Sequence, residues 1–258
     1  DTLVQRVAQQ NGFLYVEIFA GNSPLNLLRA RKTKQQLAEH PAKRPLVHLA
    51  EMDVCWIEDE MGGTILYSYH PTSQQYRRPL SLADVEAKER RGECFYVPDL
   101  LERAGDINFF FDLKTGIGSR ENALKALLEL VGPKSENCLF YSYDPLTLAA
   151  LTRINPSLAL SIRTMMQWRN GRSVLVPRAS DAGSFVNVYD LPVSTITINA
   201  TLHRQAHLRQ LNDHARQRGH YLIFGTLRKN IEKFKLAYEI GLGANMNQLS
   251  YEDVKHFL

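Results

Sequence analysis

Short apolar segments alternate with helical ones along the whole chain, and this rhythm constrains the fold more than any single motif. Phe13–Phe19 is aromatic and β-branched and reads as a strand. Gly21-Asn22-Ser23-Pro24 ends it as a turn, and Leu25–Ala38 reads as a helix. Further strands are predicted over Leu46–Trp56, Ile107–Leu113, Cys138–Tyr143, Leu158–Ile162, Thr195–Asn199, Tyr221–Phe224 and Ala244–Met246. Helices are predicted over Arg120–Leu130, from the cap Asp144 through Leu151, and over Ala206–Gln217 and Ile231–Ile240. The strands alternate little between polar and apolar residues, as parallel strands do when both faces are covered. About eight βα units of this length favour a closed (β/α)8 TIM barrel over an open sheet. No GxGxxG or GxxxxGK follows the first strand, which counts against dinucleotide-binding and P-loop folds.

Other segments decorate this repeat. Leu3–Gln10 and Tyr251–Leu258 read as short terminal helices. Asp59–Gly63 reads as a turn, Ile65–Tyr69 as a short strand ending at His70-Pro71, and Thr72–Pro79 as polar loop. Ser81 caps a helix start, and Val97 opens another short helix. Residues 165–192 look irregular, with short strands at Ser173–Val176 and Phe185–Tyr189. They read as an inserted loop near an active-site mouth.

At 258 residues and 44% hydrophobic content, the chain is long and apolar enough for one barrel domain spanning 1–258. Its 31 basic and 27 acidic residues leave a formal charge of +4. The basic run from Arg29 to Lys34 reads as a solvated helix face. No nucleic-acid motif accompanies it, so no nucleic-acid partner is expected. Of the three cysteines, Cys55 and Cys138 sit in apolar runs and read as core thiols. No apolar stretch approaches about 18 residues, so no transmembrane segment is expected. The sequence starts at Asp1, as in a processed or trimmed chain, which leaves the compartment open between cytoplasm and export after removal of a signal peptide. Oligomeric state has no signature here.

In a barrel, the C-terminal ends of the strands carry the chemistry. Glu51 and Asp53 lie near such an end and, two residues apart, point to the same side. Asp112 ends the strand Ile107–Leu113. Three converging carboxylates repel one another unless protons or a hard divalent cation such as Mg2+ or Ca2+ offset them. The competing reading is a solvated strand end. Lys114 shares the side of Asp112 and is a candidate to hold an anionic oxygen such as a phosphoryl group, or else a surface lysine. His70 follows a strand and can transfer protons near neutral pH. His48 has the opposite parity to the acids and should point away. His203 and His207 lack an HExxH context, and no GxSxG supports a serine nucleophile.

Taken in order, Glu51-Met52-Asp53-Val54, a strand ending in His70, and Phe111-Asp112-Leu113-Lys114 resemble the glycerophosphodiester phosphodiesterase family, within the phospholipase C-like phosphodiesterases. Tyr96-Val97-Pro98-Asp99-Leu100, Tyr141–Asp144, Tyr221–Thr226 and Gly241–Asn245 extend the resemblance over most of the chain. It implies a TIM barrel in which Glu51, Asp53 and Asp112 hold one divalent cation, Mg2+ or Ca2+. It also implies that Lys114 contacts phosphate and that His70 is the general acid or base, with a small-molecule phosphodiester as substrate and a place in lipid metabolism. Asp112 stands where the family usually has Glu, and Pro71 where His70 would have an Asp neighbour.

The departure lies at the first strand. The family's HRG is replaced by Phe19-Ala20-Gly21, and its ENT by Pro24-Leu25-Asn26. The first histidine and the phosphate-binding arginine are therefore absent, and Phe and Ala supply neither function. Glu17, in phase with Phe19, is a candidate partial substitute at the substrate. The expected activity is metal-dependent hydrolysis of a glycerophosphodiester, by attack of water or of a neighbouring substrate hydroxyl. The alternatives are a catalytically degenerate barrel that binds a ligand or partner without turnover, and a lyase-like or glycoside-directed enzyme on the same barrel.

Overall fold

The structure is a computed structural model and describes residues 1–169, 172–177, 187–225 and 227–258. In chain order the strands are β1 (Phe13–Glu17), β2 (Leu46–Glu58), β3 (Thr64–Ser68), β4 (Phe95–Tyr96), β5 (Phe109–Ile117) and β6 (Leu139–Ser142). They continue with β7 (Ala159–Arg169), β8 (Arg172–Pro177), β9 (Thr195–Asn199), β10 (Tyr221–Gly225) and β11 (Gly243–Met246). Eight of them pair in parallel in the order β1-β2-β5-β6-β7-β9-β10-β11, and β11 pairs back onto β1. The (β/α)8 barrel expected from the repeat is therefore closed.

Side-chain parity divides the core in two. Leu14, Val16, Leu49, Phe110, Leu139 and Ile223 meet inside the barrel, where Leu3, Val4 and Val7 of the N-terminal helix join them. The alternate residues, among them Tyr15, Met52, Phe111, Phe140, Ile198 and Phe224, pack outward against the helices. Both faces of each strand are thus buried, which is why the sequence shows apolar runs rather than alternation. Side-chain caps start two of the helices, one at the expected Asp144 and one at Ser23, which begins its helix at Pro24, a residue earlier than the expected Leu25. Ser23 Oγ accepts from Asn26 N–H (3.2 Å) ahead of Pro24, and Asp144 Oδ1 accepts from Leu146 N–H (2.9 Å) ahead of Pro145.

The extensions beyond the ring differ from expectation in three places. β2 and β5 both run past the barrel rim and stay paired there through Trp56↔Gly116 and Ile57↔Ile117, so Asp112 lies within its strand rather than at its end. Beyond the rim β2 turns back as a hairpin with β3, whose turn is held by Asp59 Oδ1 accepting from Met61 and Gly63 N–H (2.9 and 2.7 Å). Thr72–Pro79 holds a helical turn, Ser73–Arg77, because Thr72 and Gln75 form a capping box. Residues 165–169 and 172–177 are regular: β7 continues to Arg169 and β8 runs antiparallel to it, covering the expected strand Ser173–Val176. The expected strand Phe185–Tyr189 lies partly outside the described residues, and its described end is a 3-10 turn, Val188–Asp190. Cys55 and Cys138 are buried, as is Cys94. No helix among the described residues is long and apolar enough to cross a membrane.

Candidate active site

Near the C-terminal rim the inward-facing positions change from apolar to polar. Along β2, Val47 and Leu49 give way to Glu51 and Asp53, and along β5 Phe110 gives way to Asp112 and Lys114. Glu51, Asp112 and Lys114 line a cavity of about 140 Å³ together with His70, Arg163 and Asn245, and Asp53 lies buried beside them. Glu51, Asp53 and Asp112 each offer an oxygen within 4.8 Å of the others, and all three are buried. The solvated strand end is thereby set aside.

The loop after β1 fixes two of these acids. Phe19 adopts φ 59°, and its N–H donates to Glu51 Oε2 (2.9 Å). Gly21 presses against β2 and donates N–H to Glu51 O (2.7 Å), and a side chain there would meet the backbone of Glu51 and the ring of Phe109. Asn22 then clamps Asp53: its Nδ2 donates to Asp53 Oδ2 (2.7 Å), while its Oδ1 accepts from Asp53 N–H (2.8 Å) and from Ser68 Oγ (3.0 Å).

Lys114 Nζ reaches Asp112 Oδ2 and Asp53 Oδ1, the latter at 2.9 Å. His70 Nδ1 donates to Asp53 Oδ2 (3.2 Å), its ring stands edge-on to Phe19 with centroids 5.1 Å apart, and its side chain is 56% exposed at the mouth. The sequence-predicted Glu51, Asp53, Asp112, Lys114 and His70 therefore come together.

The electrostatics are those of too many buried negative charges. Like charges about 4 Å apart repel by on the order of 4 kcal/mol at an effective dielectric near 20. Burial, then Asp53 and Asp112, hold the Glu51 carboxyl well above its ordinary range. Burial also raises Asp112 to about 6, against the pull of Lys114. For Asp53 burial acts upward too, but Lys114 and His70 prevail and hold it low. Burial alone would depress the Lys114 ammonium, and Asp112 and Asp53 reverse that, so it stays charged. One ammonium does not balance three carboxylates. The all-oxygen donor set suits a hard divalent cation, and Asp112 Oδ1 is buried without a hydrogen-bond partner. The cluster is thus able to coordinate such a cation.

Glu17 does not belong to this constellation. It faces outward between β1, β2 and the helix Pro24–Glu39, where its carboxylate accepts from His48 Nε2 (2.9 Å) and Thr33 Oγ1 (3.3 Å). The expected parity with Phe19 fails because the chain leaves β1 at Glu17 and turns with positive φ at Phe19. His48 points away from the acids, as its parity predicts. His203 and His207 pack against each other, with ring centroids 5.6 Å apart, and do not line the cavity.

Sequence reading missed Asn22, Arg163 and Asn245. A signal existed for Arg163: it is in phase with Ala159 and Ser161 and is the first charge after an apolar strand.

No protein-family profile matches the chain, and no curated protein matches it in sequence. Solved structures do match in fold. A glycerophosphodiester phosphodiesterase from Parabacteroides distasonis is 14% identical, with 95% of this chain and 97% of that one covered at a TM-score of 0.60. An Oleispira antarctica phosphodiesterase in complex with the product sn-glycerol-3-phosphate is 15% identical, with 92% and 93% covered at a TM-score of 0.57. A glycerophosphodiester phosphodiesterase from Agrobacterium tumefaciens is 14% identical, with 91% and 95% covered at a TM-score of 0.56. The chain shares the barrel of these phosphodiesterases over nearly its whole length.

Proposed function

We propose that the chain is a divalent-cation-dependent phosphodiesterase acting on a glycerophosphodiester. The observation that carries this reading is the convergence of Glu51, Asp53 and Asp112, with Glu51 and Asp112 lining one cavity beside Lys114 and His70 at the C-terminal end of the barrel and Asp53 bonded to both Lys114 and His70 behind them. It is supported by the fold shared with phosphodiesterases and by the order of the matching sequence segments.

Glu51, Asp53 and Asp112 would hold the cation, which polarises a phosphoryl oxygen when bound. Lys114 is fixed by two carboxylates and presents an ammonium to the developing negative charge. His70 is oriented through Nδ1 by Asp53, which leaves Nε2 to exchange a proton with the oxygen of the attacking or departing group. Phe19 forms an apolar wall beside that ring, so His70 is the one histidine among the cavity-lining residues and carries proton transfer there alone.

That shortage of proton-transfer groups favours a second reading, a barrel that binds a phosphate ester without turning it over. The two separate on incubation with glycerophosphocholine, glycerophosphoethanolamine and an aryl phosphodiester in Mg2+, Ca2+ or EDTA, with Asp53→Ala in parallel. Cation-dependent release of the alcohol, lost in the variant, is the expected result. Cation binding without release on any of these esters would favour the binding barrel.

A further inference from the structure

The half of the ring opposite the acids holds two groups that the chemistry above does not use. Arg163, on β7, is buried and lines the cavity. Gly225, on the nearby β10, leaves the space its guanidinium fills, since a side chain at 225 would collide with Arg163 Nη1. Asn245, on β11, is 5% exposed and faces inward, because its neighbours Ala244 and Met246 belong to the outer core. It lines the same cavity, and its Oδ1 is buried with no hydrogen-bond partner. A buried acceptor without a donor is costly, and this one stands where a ligand can supply the donor.

We propose that Arg163 and Asn245 form the ligand-reading wall of the site: Arg163 binds the phosphoryl oxygens, and Asn245 Oδ1 accepts a hydrogen bond from a free hydroxyl on the esterified alcohol. The ligand class is then the phosphate ester of a small polyol. Size agrees with this assignment. Sites for drug-sized ligands run to about 300–1,000 Å³, whereas this cavity is about 140 Å³. A phosphoryl group and a short polyol fit inside, and the second alcohol of a diester projects past His70 at the mouth. An amide that accepts from a hydroxyl discriminates against the deoxy analogue, because that analogue leaves the buried oxygen unpaired. A guanidinium offers two parallel donors to a phosphate, which an ammonium does not.

This assignment rests on the phosphodiesterase reading for its ligand, and the following test separates the two. Calorimetry with Mg2+ or Ca2+ present compares sn-glycerol 3-phosphate, propyl phosphate and inorganic phosphate as probes. The unaltered chain should bind glycerol phosphate at least about tenfold more tightly than propyl phosphate, the value of one buried hydrogen bond. Asn245→Leu should bring those two probes together and leave inorganic phosphate unchanged. Arg163→Met should weaken all three by about tenfold or more, and Arg163→Lys should recover part of that loss.

Equal binding of glycerol and propyl phosphates by the unaltered chain overturns the role of Asn245 with no variant involved. Unchanged phosphate affinity in Arg163→Met overturns the role of Arg163. Turnover without hydroxyl preference removes this proposal and spares the phosphodiesterase reading, whereas hydroxyl preference without turnover does the reverse. No phosphate binding at all removes both.

Discussion

The two walls of the cavity are built on different principles. The acid wall, on β2 and β5, is heavily braced: Asn22, Phe19, Lys114 and His70 all bond to its carboxylates. The facing wall, on β7 and β9 to β11, is lean in carboxylates: it turns Arg163 and Asn245 to the cavity. Beneath Arg163 lie Ser161 and Thr195, and beside it are Thr197, Gly225 and the unpaired Asn245 oxygen. Bracing fixes like charges at spacings they would not adopt alone, which a cation site requires. Gly225 leaves room there and the Asn245 oxygen keeps unspent hydrogen-bonding capacity, which a ligand site requires. The contrast supports the proposed division, with the cation on one wall and recognition on the other.

The largest effects should come from the acid wall. Asp53 is fully buried and is shared by Asn22, His70 and Lys114, so Asp53→Ala removes a proposed cation ligand and loosens three other groups at once. A loss in kcat/KM on the order of a thousandfold is expected, with loss of Mg2+ or Ca2+ binding by calorimetry. Glu17→Gln is the contrast: it touches neither wall and should leave cation affinity within about twofold. A large drop there would mean that the loop after β1 couples to the site through His48. Next comes His70→Ala, expected to cost on the order of a hundredfold in kcat while sparing cation affinity, because its proposed role is proton transfer and not ligation. Equal losses in kcat and in cation binding would reassign it to the cation.

The acid wall was also the legible one. Glu51 and Asp53 are two charges at a strand's spacing inside an apolar run, and Asp112-Leu113-Lys114 repeats the device on a second strand. Period-two parity is local, so the sequence alone settles which side they share. The lean wall depends on ring closure instead. Asn245 meets the acids because β11 pairs with β1, a contact between distant segments that no local pattern reports. Glu17 failed for a related reason: parity holds only while the strand lasts, and a positive φ at Phe19 ends it. The barrel itself was readable from its repeat, and Ser173–Val176 showed as a strand, whereas the continuation of β7 to Arg169 and its pairing with β8 was hidden among glycines and prolines that suggested loop.

Proton binding by the acid wall gives the next effect. Asp112, at about 6, and Glu51, also raised, hold protons more tightly folded than unfolded. A raised carboxyl contributes stability that is fully present below its unfolded value and is lost as pH rises through its folded value. Asp53 acts in the opposite sense, its contribution being lost as pH falls. Asp53 is ionised in both states across this range, so the raised pair alone leaves the cation-free protein less stable at about pH 7 than at about pH 5, by on the order of 2 kcal/mol. Thermal melting in EDTA should show this fall, and Mg2+ or Ca2+ should reverse it at the higher pH by taking the place of the protons. Stability that rises with pH in EDTA would mean that Lys114 already balances the cluster.

The smallest effect tests whether the lean wall's hydroxyls are structural only. Ser161 Oγ and Thr197 Oγ1 lie 3.0 Å apart, both buried; Ser161 is one inward-facing step before Arg163 on β7, and Thr197 is paired with Arg163 in register on β9. Ser161→Ala or Thr197→Val alone leaves the other hydroxyl without this partner and should cost on the order of 1 kcal/mol in urea unfolding. The double substitution removes donor and acceptor together and should be closer to the unaltered chain than either single one. Neither should change cation or phosphate affinity, since neither hydroxyl lines the cavity. If Thr197→Val instead weakens phosphate binding, the hydroxyls around Arg163 position its guanidinium, and the division between a braced wall and a lean one extends to them.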